Sequence, residues 1–95
     1  MKKTVRLNDL SFGHGCFAPR PSIAGSSNVF INLRNTHRVG DAWVVHTCGS
    51  SHAGTTVVGS TNVFVNGLSL ARENDAISCG DKCSQGSTNV YCNSL

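Results

Sequence analysis

The chain repeats itself, and that restricts its fold more than any other feature. Gly25-Ser26-Ser27-Asn28-Val29-Phe30-Ile31-Asn32 recurs as Gly59-Ser60-Thr61-Asn62-Val63-Phe64-Val65-Asn66. It returns as Gly86-Ser87-Thr88-Asn89-Val90-Tyr91-Cys92-Asn93. A second element also occurs three times: Arg6-Leu7-Asn8-Asp9, Arg38-Val39-Gly40-Asp41 and Arg72-Glu73-Asn74-Asp75. Two elements in triplicate and in strict alternation point to three copies of one structural unit.

Each first element reads as a turn and then a strand. Gly-Ser-x-Asn supplies turn chemistry. Val-Phe-Ile/Val is β-branched and aromatic, too short for a helix and suited to a buried strand. Asn66-Gly67 marks a type I′ hairpin, which needs positive φ at both positions. Leu68 to Arg72 is then the return strand. The corresponding turn in the first repeat, Asn32-Leu33-Arg34-Asn35, reads as less regular. The third repeat ends at Asn93-Ser94-Leu95 with no return strand, while Thr4 to Asp9 is an Arg-x-x-Asp strand lacking its partner. The N-terminal strand is therefore expected to complete the third unit, and closure removes exposed sheet edges. No amphipathic helical period appears. The expected fold is all-β: one domain over 1–95, a small pseudo-threefold cone or prism of three β-hairpin repeats.

Composition narrows the class. Charged residues are 14% of the chain and hydrophobic residues 39%, which excludes a chain disordered by charge. A domain of 95 residues buries a modest core, and such domains often use a metal, disulfides or a partner. No apolar run approaches the ~20 residues of a membrane span. Met1-Lys2-Lys3-Thr4 is basic but no apolar segment follows, so no signal peptide is expected. Eight Lys and Arg oppose five Asp and Glu. They are scattered, without the basic stripe and interleaved aromatics of a nucleic-acid binder.

Candidate ligands follow the Arg-x-x-Asp elements. His14 lies five residues after Asp9, His46 five after Asp41, and Cys79 four after Asp75. Threefold-related loops would bring these side chains toward one axis, and the Gly/Ser-rich loop 47–56 adds His52. His14, His46, His52 and Cys79 form a set of three histidines and one cysteine, which suits a closed tetrahedral zinc site of the structural kind. The same residues also read as polar loop positions with no common role. His37 occupies the strand slot of Ala71 and reads as a packed or exposed strand histidine.

The other cysteines stay open. Cys16 and Cys48 each follow a candidate histidine by two residues; they could replace a ligand or pair as a disulfide if the loops converge. Cys83 and Cys92 could also pair. Five cysteines leave one odd thiol in any all-disulfide scheme, and free buried thiols are the plainest reading. Asp9, Asp41 and Asp75 read as turn residues that bind nearby backbone N–H groups; their paired arginines read as inter-repeat contacts. Asn28, Asn62 and Asn89 read as turn residues too. No catalytic constellation, P-loop or dinucleotide fingerprint is present.

These residues resemble the proline-alanine-alanine-arginine (PAAR) repeat family, the spike-tip proteins of type VI secretion systems and contractile phage tails. The resemblance runs from about Val5 to Asn93. Its most specific parts are Gly-Ser-Thr-Asn-Val-Phe-Val-Asn-Gly at 59–67 and Arg-Val-Gly-Asp at 38–41. The signature itself is represented by Leu70-Ala71-Arg72 and Thr36-His37-Arg38, without proline.

The resemblance implies a cone of three hairpins with zinc, less often iron, held near its point by His14, His46, His52 and Cys79. It implies a non-enzymatic tip that caps and sharpens a homotrimeric β-helical spike, one monomer per trimer, for piercing an envelope. The turns at 32–36 and 66–69 would lie at the broad end, against the trimer. Effector cargo is a further expected partner and contact with the target membrane is transient; nucleic acid is not expected. The protein would be made in the bacterial cytoplasm and reside at a virion tail tip or leave through a type VI apparatus. No toxin extension is expected. The alternative is a small zinc-dependent binding module or metalloenzyme.

Overall fold

Glycine opens each unit because another backbone lies against it. In the computed structural model, which describes residues 1–94, a Cβ on Gly25, Gly59 or Gly86 would fall 2.9, 2.8 or 2.7 Å from the carbonyl oxygen of Thr36, Leu70 or Thr4. The next residue, Ser26, Ser60 or Ser87, donates its N–H to that carbonyl. The same serine hydroxyl accepts the N–H groups of the residues two and three places on, Asn28 and Val29 in the first unit. The Gly-Ser-x-Asn segment is thus a side-chain-closed turn pressed onto a return strand.

The strands of the three repeat hairpins are two-residue pieces. β1 (Lys2–Lys3) pairs antiparallel with β8 (Tyr91–Cys92), β2 (Phe30–Ile31) with β3 (Arg34–Asn35), and β6 (Phe64–Val65) with β7 (Leu68–Ser69). The registers coincide, with Phe30 opposite Asn35, Phe64 opposite Ser69 and Tyr91 opposite Lys3. A strand at the N-terminus therefore completes the third hairpin, but it is Lys2–Lys3 and not the expected Thr4 to Asp9, whose last four residues form a turn closed by the Asp9 N–H to Arg6 carbonyl bond. β4 (His46–Cys48) and β5 (Ser50–His52) form a fourth hairpin that turns at Gly49, where φ is 78°. It occupies the stretch that reads from sequence as a Gly/Ser-rich loop.

Two turns correct the reading of the first repeat. Asn66 and Gly67 have φ of 54° and 78°, and Asn32 and Leu33 have φ of 52° and 67°. The first repeat makes the same two-residue turn, with leucine at the glycine position. Left-handed backbone costs a leucine about 1–2 kcal/mol, and Leu33 is 97% exposed.

The three units interlock around an axis. Val5 N–H donates to Ala71, Ala71 to His37, and His37 to Val5, at 3.0, 3.1 and 3.0 Å. This closed ring of backbone bonds is fully buried. Each Arg-x-x-Asp is a turn closed by an Asp N–H to Arg carbonyl bond of 3.0–3.1 Å, with positive φ at Asn8, Gly40 and Asn74. That sign at the third position defines a type II turn and explains the Asn/Gly choice there. The aspartate accepts its own arginine's N–H and Nε on Oδ2 and Nη2 on Oδ1 in all three copies. The remaining nitrogen, Nη1, donates to Asn32 Oδ1, Asn66 Oδ1 or the Asn93 backbone carbonyl.

The core has two parts. Val5, Trp43, Ala71, Ile77 and Cys83 form one; Val65, Leu70 and Cys92, with Ile31 against them, form the other. Ile31, Val65 and Cys92 are equivalent residues of the three repeats, so Cys92 fills an aliphatic slot. Cys83 and Cys92 lie in separate clusters as free thiols, and the Cys83–Cys92 pairing does not form. Burial pushes the Cys83 thiol up to about 12.

The Val-Phe-Ile motif is not wholly buried either. Phe30, Phe64 and Tyr91 are 55%, 57% and 47% exposed, beside half-open Val29, Val63 and Val90. A strand of two residues shows one side chain to each face, and only the second faces the core. The molecule measures 37 × 25 × 23 Å. The described residues form no helix, and none long and apolar enough to cross a membrane.

Candidate metal centre

Two chain segments bring the histidines together. His46 and His52 sit opposite each other across β4 and β5. His14 lies on a tight loop whose ends bond reciprocally, His14 N–H to Phe17 and Phe17 N–H to His14, at 3.0 and 2.9 Å. Gly13 makes that loop feasible, since a Cβ there would fall 2.6 Å from the Phe17 carbonyl. The Cys16–Cys48 disulfide, with Cα atoms 5.8 Å apart, staples the His14 loop to the His46–His52 hairpin. The loops do converge, so these cysteines pair, leaving Cys79, Cys83 and Cys92 as the free thiols.

The three Nε2 atoms face one another. His14 to His46 is 3.2 Å, His14 to His52 is 3.0 Å, and His46 to His52 is 2.7 Å. With Cys79 Sγ, all four candidate ligand atoms lie within 4.8 Å of one another. His46 Nδ1 donates to the Ala18 carbonyl at 2.8 Å, which leaves Nε2 as the bare lone pair. Desolvation, then the His46 and His14 rings, hold His52 below the usual imidazole range. A hydrogen bond within the trio needs an Nε2–H on His14 or His52, whereas a metal ion takes a lone pair from all three. A tetrahedral zinc ion with Zn–N bonds of ~2.0–2.1 Å spaces its nitrogens ~3.3 Å apart. The donor set could hold a metal ion; the His14–His46 spacing is close to that value and the His46–His52 spacing is tighter.

The surroundings carry no repeat signature. Phe17 covers the imidazoles, with ring centroids 4.9, 4.9 and 4.2 Å from those of His14, His46 and His52. Arg20 is buried and gathers three loops. It ion-pairs with Asp81 and donates to the Val44 carbonyl at 2.9 Å, Ser11 Oγ at 3.2 Å and Cys79 Sγ at 3.2 Å. Its guanidinium lies 5.5 Å from the Trp43 ring centroid. The only hint in the sequence is an arginine between Pro19 and Pro21, in a segment that neither repeat covers.

His37 lies elsewhere, at the axis. Its Nδ1 is 2.9 Å from the Ala24 carbonyl and Nε2 is 2.7 Å from Thr56 Oγ1. Trp43 Nε1 donates to the same hydroxyl at 2.9 Å. Burial lowers the His37 pKa, partly opposed by the Ala24 hydrogen bond and Asp41. A neutral imidazole satisfies both contacts, so His37 is a packed strand residue and no ligand.

A closed pseudo-threefold of β-hairpins carrying one cluster of three imidazole nitrogens and a thiol sulfur defines a small structural β-protein with a candidate metal centre. The PAAR motif matches residues 13–85 and again 47–95, a shift equal to the distance from Gly25 to Gly59. The chain belongs to the PAAR motif family. That is a structural family that caps the spike of contractile injection systems, which ties this chain to a phage tail or a type VI secretion apparatus. Comparison with curated proteins finds no match.

Proposed function

We propose that this protein is a metal-stabilised tip that caps a homotrimeric β-helical spike, one monomer on three chains. The observation that supports it most is the threefold equivalence of exposed apolar residues. Val29-Phe30, Val63-Phe64 and Val90-Tyr91 form three matched pairs around the axis, with exposures agreeing within each set. Matched patches on a monomer offer equal contacts to the three chains of a trimeric end. A sheath-driven spike would then meet its target with this chain leading, and the proposed role is mechanical.

Metal would enter as a fastener. His14, His46 and His52 through Nε2 and Cys79 through Sγ would hold zinc, with iron the second choice. The ion would supply folding free energy, on the order of 10 kcal/mol in small structural zinc sites, where the loops have little apolar core. Four protein ligands leave no place for a reacting water, which favours a tip over a metalloenzyme. Effector cargo, a transient touch on the target membrane and no role for nucleic acid complete the reading.

The test is co-purification with a candidate trimeric spike. The expected complex holds one tip per three spike chains. Phe30→Glu combined with Phe64→Glu should abolish it while the isolated tip keeps its melting temperature. Full binding by that variant would exclude the apolar pairs as the docking surface.

A further inference from the structure

The three units agree at their hairpins but not in the grooves between them. One groove, between the third and first units, is an open depression of about 410 Å³. Lys3, Arg6 and Arg34 line one wall with Asp9, and residues 84–86 with Thr88 line the other. Asp9 is buried and is shared by both arginines: Arg6 Nε at 2.9 Å and Arg34 Nη2 at 3.2 Å. Among the lining residues three cations meet one carboxylate; Glu73, outside the lining, accepts the Lys3 N–H at 3.0 Å, and the balance facing the groove is positive.

The strand registers give the equivalents elsewhere. Lys3 corresponds to Asn35 and Ser69, and Arg34 to Leu68 and Lys2. Ser84-Gln85, before Gly86, corresponds to Ile23-Ala24 before Gly25 and Val57-Val58 before Gly59. Ile23, Val57 and Val58 are exposed. The second groove therefore sets Arg38 against Asp41 beside Leu68 and Ile23. The third keeps Lys2 and Arg72 against Asp75 but has valine walls. Only one of three related grooves is both polar-walled and strongly basic.

We infer that this groove holds an acidic peptide segment of a partner present in a single copy, a protein carried on the tip. A homotrimer would offer the same acidic segment to all three grooves. At the second it would bury a carboxylate against Leu68 and Ile23, where Arg38 is already matched by Asp41, and that is costly. The feature that breaks the symmetry thus selects a partner that is not threefold. The inference takes its contrast from the trimer-docking reading, but the groove can be probed without a trimer.

The probe is end-blocked hexaglutamate, titrated into the isotope-labelled full chain and followed by amide chemical shifts. Saturable shifts confined to Lys3, Arg34, Gly86 and Thr88 are expected. Lys3→Glu, or the milder Lys3→Met, should weaken binding at least fivefold. Ser69→Glu, the same position in the third groove, should change it less than twofold. Shifts spread equally over all three grooves, no saturable shift, or the same shifts from hexaglutamine would overturn the inference. Tighter binding of oligothymidylate at the same residues would reassign the groove to nucleic acid and overturn it too. Assembly with the spike trimer is measured separately. Lys3→Glu should leave it intact, and loss of assembly would assign the groove to the trimer instead.

Discussion

Ser87 Oγ donates to Asn32 Oδ1 at 2.5 Å across 55 positions of sequence, closing a circle begun by two equivalent pairs. Ser26 reaches Asn66 and Ser60 reaches Asn93, both at 2.6 Å. Each hairpin asparagine thus locks the turn of another unit while its own turn is locked elsewhere. Asn32→Ala removes the acceptor for Ser87 and for Arg6 Nη1. It should cost about 1–3 kcal/mol by urea unfolding, the range for a lost hydrogen bond with a stranded partner. A loss below about 0.5 kcal/mol, the low end for one net hydrogen bond, would mean the circle is ornamental.

Removing one ligand should act on stability through the metal. His46→Ala and Cys79→Ser should each lower zinc content well below one per chain. Each should also lower the melting temperature by more than about 10 °C, given about 4–8 °C per kcal/mol for a domain this small. Chelation of the wild-type protein should produce a similar drop. If chelation leaves the melting temperature where it was, the metal is not structural.

The Cys16–Cys48 staple makes its own prediction. A loop closed by residues 32 apart is worth roughly 3–4 kcal/mol in the chain-entropy model. A phosphine reductant should lower the melting temperature by about 12–30 °C. It should also speed zinc loss to a chelator, because the His14 loop is then free to leave the His46–His52 hairpin. Cys16→Ser should reproduce the effect and no longer respond to reductant.

His37 sets an acid limit on stability. Its folded pKa is lowered by burial, while the unfolded chain titrates near the free value of ~6.5. Below that value the unfolded state gains a proton that the folded state refuses, so stability falls as pH drops through the window between the two. The stability of wild type minus that of His37→Gln, followed from about pH 7.5 to 5 in urea, should decline on the acid side. A flat difference would mean that folding leaves the His37 pKa unshifted, and a rise on the acid side would mean that the fold favours the protonated ring.

What the sequence exposed and what it hid follow from repetition. Gly25, Gly59 and Gly86 announce themselves because one steric need recurs three times. The convergence of His14, His46 and Cys79 shows in their offsets from the Arg-x-x-Asp turns. Whether they bind metal is a separate matter for the zinc assays. Arg20 occurs once, in a stretch outside the repeats, and its partners Asp81 and Cys79 are distant in sequence. The Cys16–Cys48 pairing needs the loop geometry, since spacing alone allows several schemes. The exposure of Phe30 and Phe64 is hidden because a two-residue strand has no period to reveal its inner face. Leu33 hides a tight turn because leucine gives no turn signal.

A nearly threefold plug in a truly threefold socket has three seating orientations. If the three seats were equal, that choice would favour the capped state by about 0.6 kcal/mol of mixing entropy. Images of an assembled spike averaged with threefold symmetry would superpose the three hairpins and sharpen them. The Cys16–Cys48 staple and the basic groove, which occur once, would fade to a third of their density. Only a reconstruction without imposed symmetry could recover them.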